Sequence, residues 1–244
     1  MPKILKVIDK SDSQVIDMGL LPNVRFMGLL VGKTGSSKTT LIVNMLLNPE
    51  FGYDKIFKGE HIYIFSGSME SDKKIEKLIE AKDIPSTNLY SAYDDEALDE
   101  LYNKLEEEYI ERDMKGLDVE YPLIIIDDLS FTGGMAGRRF NSLNRYAMNA
   151  RKIAISLIVT TQYYFNVLPS IRENSSFFVL YNTSQRNLDV IAEEHNYFRK
   201  KKDFIEMYRE NVKSKRDFIV VNYDNDGTNI YLNKDFEPIF KSVE

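Results

Sequence analysis

The chain of 244 residues contains no cysteine, which excludes disulfides and every cysteine-based zinc site. Only two histidines, His61 and His195, are present, and they leave little for a histidine-based metal centre. This usage suits a reducing cytosol. No apolar run approaches the roughly 18 residues a membrane span requires. The opening MPKILKVIDKSDSQ has no apolar core of the kind a signal peptide carries. The expectation is a soluble protein with no membrane partner. A basic surplus is missing as well: 32 Lys+Arg stand against 38 Asp+Glu, for a net charge of -6. That balance argues against a dedicated, tightly held nucleic-acid binder, yet leaves room for a motor that grips a few phosphates transiently. Repeats, low-complexity linkers and a clean domain boundary are also lacking. The length suits one large α/β domain with a small extension.

Against these absences stand five apolar runs: Phe26–Val31, His61–Phe65, Leu123–Ile126, Ile153–Thr160 and Phe177–Tyr181. Strands rich in Ile, Val and Leu without polar alternation are those covered on both faces, as in parallel sheets. Helical patterns fall between them at Thr40–Asn48, Ser71–Ala81, Asp94–Arg112 and Asn141–Arg151. The acidic first turn of the third suits the helix dipole. The pattern predicts a doubly wound α/β sheet that binds its ligand at the carboxyl ends of the strands. Beyond Gln185 a helix is expected over Asn187–Arg209, carrying the basic run Arg199–Lys202. A β-hairpin is expected from Asp217–Tyr223 and Thr228–Leu232 around Asp224-Asn225-Asp226-Gly227. The working partition is an N-terminal edge segment (1–22, with a strand at Ile4–Ile8), a core (23–200), and a C-terminal helix and hairpin packed on it (201–244).

The run Gly32-Lys33-Thr34-Gly35-Ser36-Ser37-Lys38-Thr39 follows the first strand and precedes Thr40-Leu41-Ile42. It departs from the P-loop pattern G-x-x-x-x-G-K-[ST] at one position, where Ser37 replaces the second glycine. Such a loop turns successive backbone N–H groups around phosphate oxygens, and a helix N-terminus adds positive potential. Residues Gly32 to Thr40 are therefore the expected nucleotide cradle. Lys38 would reach the β- and γ-phosphates, and the Thr39 hydroxyl would ligate Mg²⁺. Ser37 is small enough for the loop but tolerates positive φ less well than glycine.

Leu123-Ile124-Ile125-Ile126-Asp127-Asp128 reads as a buried strand that delivers a carboxylate to that metal, the Walker B role. Asp127 is the expected metal-side residue. Asp128 stands where motor ATPases often place a water-polarising glutamate, and is one methylene shorter. In Thr160-Thr161-Gln162 the glutamine ends the fourth strand, where it can sense γ-phosphate or orient lytic water; it can equally be a solvated strand end. Arginines that could stabilise phosphoryl transfer from a neighbouring subunit are Arg138, Arg139, Arg145, Arg151 and Arg172. Arg151 is favoured, since the end of its strand opposite the nucleotide would face a neighbour in a ring. The loop Phe131–Arg139 reads either as a pore-lining DNA contact or as a plain connection. Tyr163-Tyr164-Phe165 reads mainly as core, and Arg199–Lys202 as a solvated helix face.

These residues resemble the FtsK–HerA class of P-loop ATPases, and within it the genome-packaging ATPases of poxvirus type and of small phages. The matching features are GKTGSSKTT, LIIIDD, Arg151 before the fourth strand, IVTTQ, and the segment from Pro169 to Arg172. The resemblance implies a RecA-like (ASCE) P-loop NTPase fold. It also implies a homo-oligomeric ring, a pentamer or hexamer, with ATP and Mg²⁺ between subunits and an arginine acting in trans. Such a ring would drive double-stranded DNA into a preformed capsid at a portal or packaging vertex, in the host-cell cytoplasm. Ser37 and Asp128 depart from the family's usual Gly and Glu. No segment resembles the nuclease tail of terminase large subunits, implying packaging without genome cleavage or a chain that continues further. Two other readings compete: a conjugation or secretion translocase of the same class, and a small-molecule kinase whose lid would carry Arg138 and Arg139.

Overall fold

Every residue of Met27–Val31 (β1) is buried, and so is every residue of Ile62–Ser66 (β2), Ser156–Thr161 (β5), Phe177–Tyr181 (β6) and Phe218–Asn222 (β7). Strands buried along their whole length need cover on both faces, and the chain supplies it with helices. The computed structural model describes residues 14–128 and 141–239. With Leu89–Tyr90 (β3), Leu123–Asp127 (β4) and Tyr231–Leu232 (β8), the strands form one sheet in the order β3-β2-β4-β5-β1-β6-β7-β8. The first six run parallel; β7 and β8 add antiparallel, with Val179 opposite Val220 and Val220 opposite Leu232.

Strand alternation sends neighbouring residues to different cores. Leu29, Val31, Ile124 and Ile126 meet one cluster; Phe26, Leu30, Leu123 and Ile125 meet the other. The second face is covered by Lys38–Leu47 (α1) and Lys73–Lys82 (α2), through Leu41, Ile42, Met45, Ile75 and Leu78. The first is covered by Asp95–Met114 (α3), Asn141–Asn149 (α4), Pro169–Asn174 (α5), Gln185–Glu194 (α6) and Lys201–Asn211 (α7). Side-chain caps fix several starts: Asp72 accepts from Lys74 N, Asp94 from Glu96 N and Ala97 N, and Ser184 from Asn187 N.

The structure revises several expected elements. The helix expected over Asn187–Arg209 is two helices. Asn196 folds into a turn, its Oδ1 accepting from Phe198 N at 2.9 Å, while Tyr231 Oη accepts from Tyr197 N at 2.6 Å. The fourth large strand begins at Ser156 rather than Ile153, because Ala150–Ile153 close a 3₁₀ turn that ends with Ala154 at φ 61°. The helix expected to Arg151 therefore stops at Asn149. The second hairpin strand shrinks to Tyr231–Leu232, since Asn229 N bonds Asp226 O and only Asn222 N meets Ile230 O. Strand β3 was not expected; its Tyr90 ring stacks on Phe65 at 4.1 Å. Of Tyr163-Tyr164-Phe165 only Tyr164 is core, while Tyr163 and Phe165 are exposed. The expected strand Ile4–Ile8 and the loop Phe131–Arg139 lie outside the described residues.

Candidate nucleotide site

The phosphate-loop geometry follows from small residues. Gly32 leaves β1 with its N–H donated to Thr161 O at 3.1 Å. A Cβ there would stand 2.6 Å from Tyr181 Cβ and 2.7 Å from Ser36 Oγ, so only glycine fits. Gly35 turns at φ +73°. Ser37 adopts φ 81°, ψ 25°, the left-handed region where the pattern places glycine. The loop keeps its shape at a cost of about 1–2 kcal/mol in serine strain.

Several observations test whether this loop suits an anion. The start of α1 has no side-chain cap and no acidic residue in its first turn, so its leading N–H groups lack an internal acceptor. Ser36 Oγ is buried and has no hydrogen-bond partner among the described residues. Lys38 is buried, and its Nζ donates to Gly32 O at 2.6 Å. Burial lowers its pKa, and the fields of Asp128 and then Asp127 oppose that shift. A desolvated cation folded onto its own loop, beside uncapped N–H groups, fits a polyphosphate.

Strand β5 separates β4 from β1, so the carboxylates reach Lys38 across one intervening strand end. Thr160 organises them. Its fully buried hydroxyl donates to Asp127 Oδ1 at 2.8 Å and accepts from Asp128 N at 2.9 Å. This holds the Asp127 carboxyl in one orientation and ties down Asp128, whose backbone sits at φ 52°. Burial pushes the Asp127 pKa up, against the Thr160 hydrogen bond and Lys38; Asp128 adds to the rise. A carboxyl held above its usual range by burial gains from a nearby cation, and a carboxylate and a threonine hydroxyl such as that of Thr39 are oxygen donors of the kind Mg²⁺ prefers.

Gln162 sits where expected, one residue beyond β5. Its Nε2 donates to Asp128 Oδ2 at 2.8 Å, and its Oε1 accepts from Thr34 Oγ1 at 2.7 Å. An amide thus joins the phosphate loop to the second carboxylate. Sequence reasoning singled out Lys38, Thr39, Asp127, Asp128 and Gln162, but missed Thr160, which orients the two carboxylates. The available signal was its place two residues before Gln162, at the same strand end.

The arginines separate clearly. Arg145 is committed to Asp99 at 3.1 Å and Glu106 at 2.9 Å, with its guanidinium 3.8 Å from the Tyr102 ring centroid. Arg172 is committed to Glu194 and lies over Tyr164. Arg151 stands at the opposite end of β5 from Gln162, its side chain 52% exposed and 4.0 Å from Asp224. Its carbonyl accepts from Arg25 Nε at 2.7 Å. Arg138 and Arg139 lie outside the described residues. In the Arg199–Lys202 run, Lys201 pairs with Glu193 at 2.6 Å and Lys202 with Glu206 at 3.3 Å.

The family model described as Poxvirus A32 protein matches residues 16–232. The chain belongs to the poxvirus A32 protein family. It is a P-loop ATPase of the viral genome-packaging type. No curated protein matches it significantly by sequence. Among solved structures, the genome-packaging NTPase B204 from Sulfolobus turreted icosahedral virus 2, in complex with AMP, superposes with a TM-score of 0.56 at 16% identity, covering 88% of this chain and 98% of that one. B204, the DNA-packaging ATPase from Sulfolobus turreted icosahedral virus, gives 0.55 at 18% identity, covering 89% and 99%. The pCW3 conjugation coupling protein TcpA, a monomer form with ATPγS, gives 0.52 at 16%, covering 90% and 67%. EssC from Geobacillus thermodenitrificans gives 0.46 at 18%, and the chain spans 32% of that protein, too partial a likeness to bear on function. At these identities the likeness is one of fold. The A32 family assignment and the fold agree on a RecA-like P-loop core whose sheet ends in an antiparallel pair.

Proposed function

We propose that this A32-family ATPase is the motor that draws double-stranded viral DNA into a preformed capsid, working as a homo-oligomeric ring of five or six copies. The carrying observation is the convergence of Lys38, Asp127, Asp128 and Gln162 on one phosphate loop, with Thr34 and Thr160 linking them. The described viral relatives, named as genome-packaging enzymes, support the DNA and the capsid vertex as partners. The setting is then the host-cell cytoplasm, at the procapsid. Among the described residues no helix is long and apolar enough to cross a membrane.

The reaction is phosphoryl transfer to water, which asks for positioning and charge neutralisation. The Gly32–Thr40 amides and Lys38 hold the phosphates; Lys38 must then leave the Gly32 carbonyl. Thr39 and Asp127 would hold Mg²⁺, which supplies charge neutralisation at the β- and γ-phosphates. Asp128 orients the attacking water, and Gln162 must exchange partners for that carboxylate to become available. Loss of γ-phosphate lets Gln162 return, so its position reports the state of the nucleotide. Arg151, exposed at the far end of β5, acts on the site of the adjacent copy.

The test is ATP hydrolysis with and without duplex DNA in the presence of the capsid vertex, alongside sizing of the particle that carries the activity. Stimulation by DNA in a ring-sized particle is expected. Hydrolysis indifferent to DNA contradicts the motor. Arg151→Ala should spare ATP binding and slow turnover by ~10³-fold; wild-type turnover would remove Arg151 from the trans role. The likeness to TcpA keeps a conjugation-type translocase as a second reading, marked by DNA-stimulated hydrolysis that the capsid vertex does not affect.

A further inference from the structure

The two sides of β1 are unlike. The carboxylates Asp127 and Asp128 arrive from β4, beyond β5 on one side; Tyr181 of β6 and Phe218 of β7 lie on the other. On that second side a cavity of about 240 Å³ opens directly against Ser37 and Thr40, walled by Phe51, Tyr181, Arg216 and Phe236. A triphosphate wrapped on the loop with its γ end at Lys38 and the carboxylates must send its α end, and whatever is attached to it, toward β6 and β7. The volume is below the roughly 300 Å³ at which whole-ligand pockets begin, as a subsite for part of a ligand should be.

The walls carry the chemistry of a nucleoside. Phe236 holds φ +61°, an outlier for so bulky a residue. The turn Asn233–Glu237 enforces it: Phe236 N donates to Asn233 O at 3.0 Å, and Glu237 N to Asn233 Oδ1 at 3.0 Å. The result sets the Phe236 ring edge-on to Phe51, centroids 5.2 Å apart at 90°. The segment between α7 and β7 adds two cations. Lys215 Nζ hangs over the loop's apex, 2.9 Å from where a Cβ on Gly35 would stand. Arg216 lines the cavity itself. Neither forms a salt bridge with another described residue, whereas nearby Lys234 pairs with Asp217 at 3.5 Å.

We propose that the base and ribose of the nucleotide dock in this cavity, held in cis by Phe51, Phe236 and Arg216, while Lys215 closes over the phosphates. The proposal rests on reading Gly32–Thr39 as the phosphate loop. It gives the C-terminal segment a direct part in the nucleotide site: residues beyond α7 would sense occupancy without help from a neighbouring copy. Aromatic rings stack on any base, and arginine adds a planar cation over it.

Calorimetric titration of the full chain with magnesium-ATP and with magnesium tripolyphosphate separates the two halves of the ligand. Wild type should bind ATP at least ~10-fold more tightly than tripolyphosphate. Arg216→Ala and Phe51→Ala, each checked by melting temperature, should lose about 10-fold in ATP affinity and keep tripolyphosphate affinity within about twofold. Lys215→Ala should weaken both ligands. Unchanged ATP affinity in Arg216→Ala and Phe51→Ala overturns the subsite, as does an equal fall for both ligands. Binding of both probes that ignores Lys38→Ala overturns instead the phosphate-loop reading beneath it.

Discussion

Among the described residues, the buried polar groups around His195 and those at the phosphate loop are built from similar side chains and finished differently. Around His195 the imidazole, the Tyr164 and Tyr223 hydroxyls and the Glu194 carboxylate are all paired with one another, and among these cluster members only Arg172 Nε is buried without a partner among the described residues. Tyr164 Oη donates to Glu194, so it must accept from His195 Nε2–H at 2.7 Å, and His195 Nδ1 then accepts from Tyr223 Oη. Arg172 closes the cluster on Glu194, and the imidazole stacks on Phe178 at 4.4 Å. At the phosphate loop the groups are equally enclosed but left short. Ser36 Oγ has no partner among the described residues, Lys38 leans on its own loop, α1 is uncapped, and Ser37 and Asp128 are strained. A satisfied network stiffens the fold; one completed only by an added anion and cation is a site.

The sharpest way to break this contrast is at Lys38. Lys38→Ala should lower ATP hydrolysis by more than ~10³-fold, measured by phosphate release, without lowering the melting temperature. A large loss of stability would make Lys38 a structural residue like those around His195.

The His195 cluster should answer to pH rather than to nucleotide. Burial holds the His195 pKa at about 4, below its ordinary 6.5, with Glu194 opposing and Arg172 assisting. Between those values the unfolded chain binds the proton that the folded chain refuses, so stability is full above pH 6.5 and falls as acid is added. That gap, from 6.5 to about 4, corresponds to about 3 kcal/mol. Urea unfolding at pH 7 and pH 4 should show wild type losing that much more than His195→Gln; parallel losses would contradict a neutral buried imidazole.

Thr160 sharpens the comparison from the other side, since it is a satisfied buried group serving the unsatisfied site. Thr160→Val should reduce kcat by about 10- to 100-fold with little change in KM for ATP, and Thr160→Ser should restore it. Equal effects of Val and Ser would point to packing alone. The smallest expected effect is Ser37→Gly, which should raise stability by ~1 kcal/mol in urea unfolding by relieving the left-handed serine.

Legibility in the sequence followed range. GKTGSSKT and LIIIDD are contiguous, and each alone dictates a strand end, a turn and the groups it carries. Ser37 was readable to the level of its backbone strain. The joining of Thr34 to Gln162 spans 128 positions and that of Gln162 to Asp128 spans 34, so only the strand order β4-β5-β1 brings them together. Arg145 and Arg172 stand among the candidate arginines beside the favoured Arg151, because their partners Glu106 and Glu194 come from other helices and leave no mark in the local sequence. The break between α6 and α7 depends on Tyr231, far along the chain, capturing the Tyr197 amide. Local helical periodicity carries no trace of that contact.

The account turns on what Lys38 and Asp127 do when the loop is filled, and a structure of the chain with magnesium and AMPPCP measures it directly. The account predicts Lys38 Nζ released from Gly32 O onto a phosphate oxygen, with Asp127 and Thr39 flanking the metal. Nucleotide bound elsewhere, with Lys38 still on the Gly32 carbonyl, would contradict it.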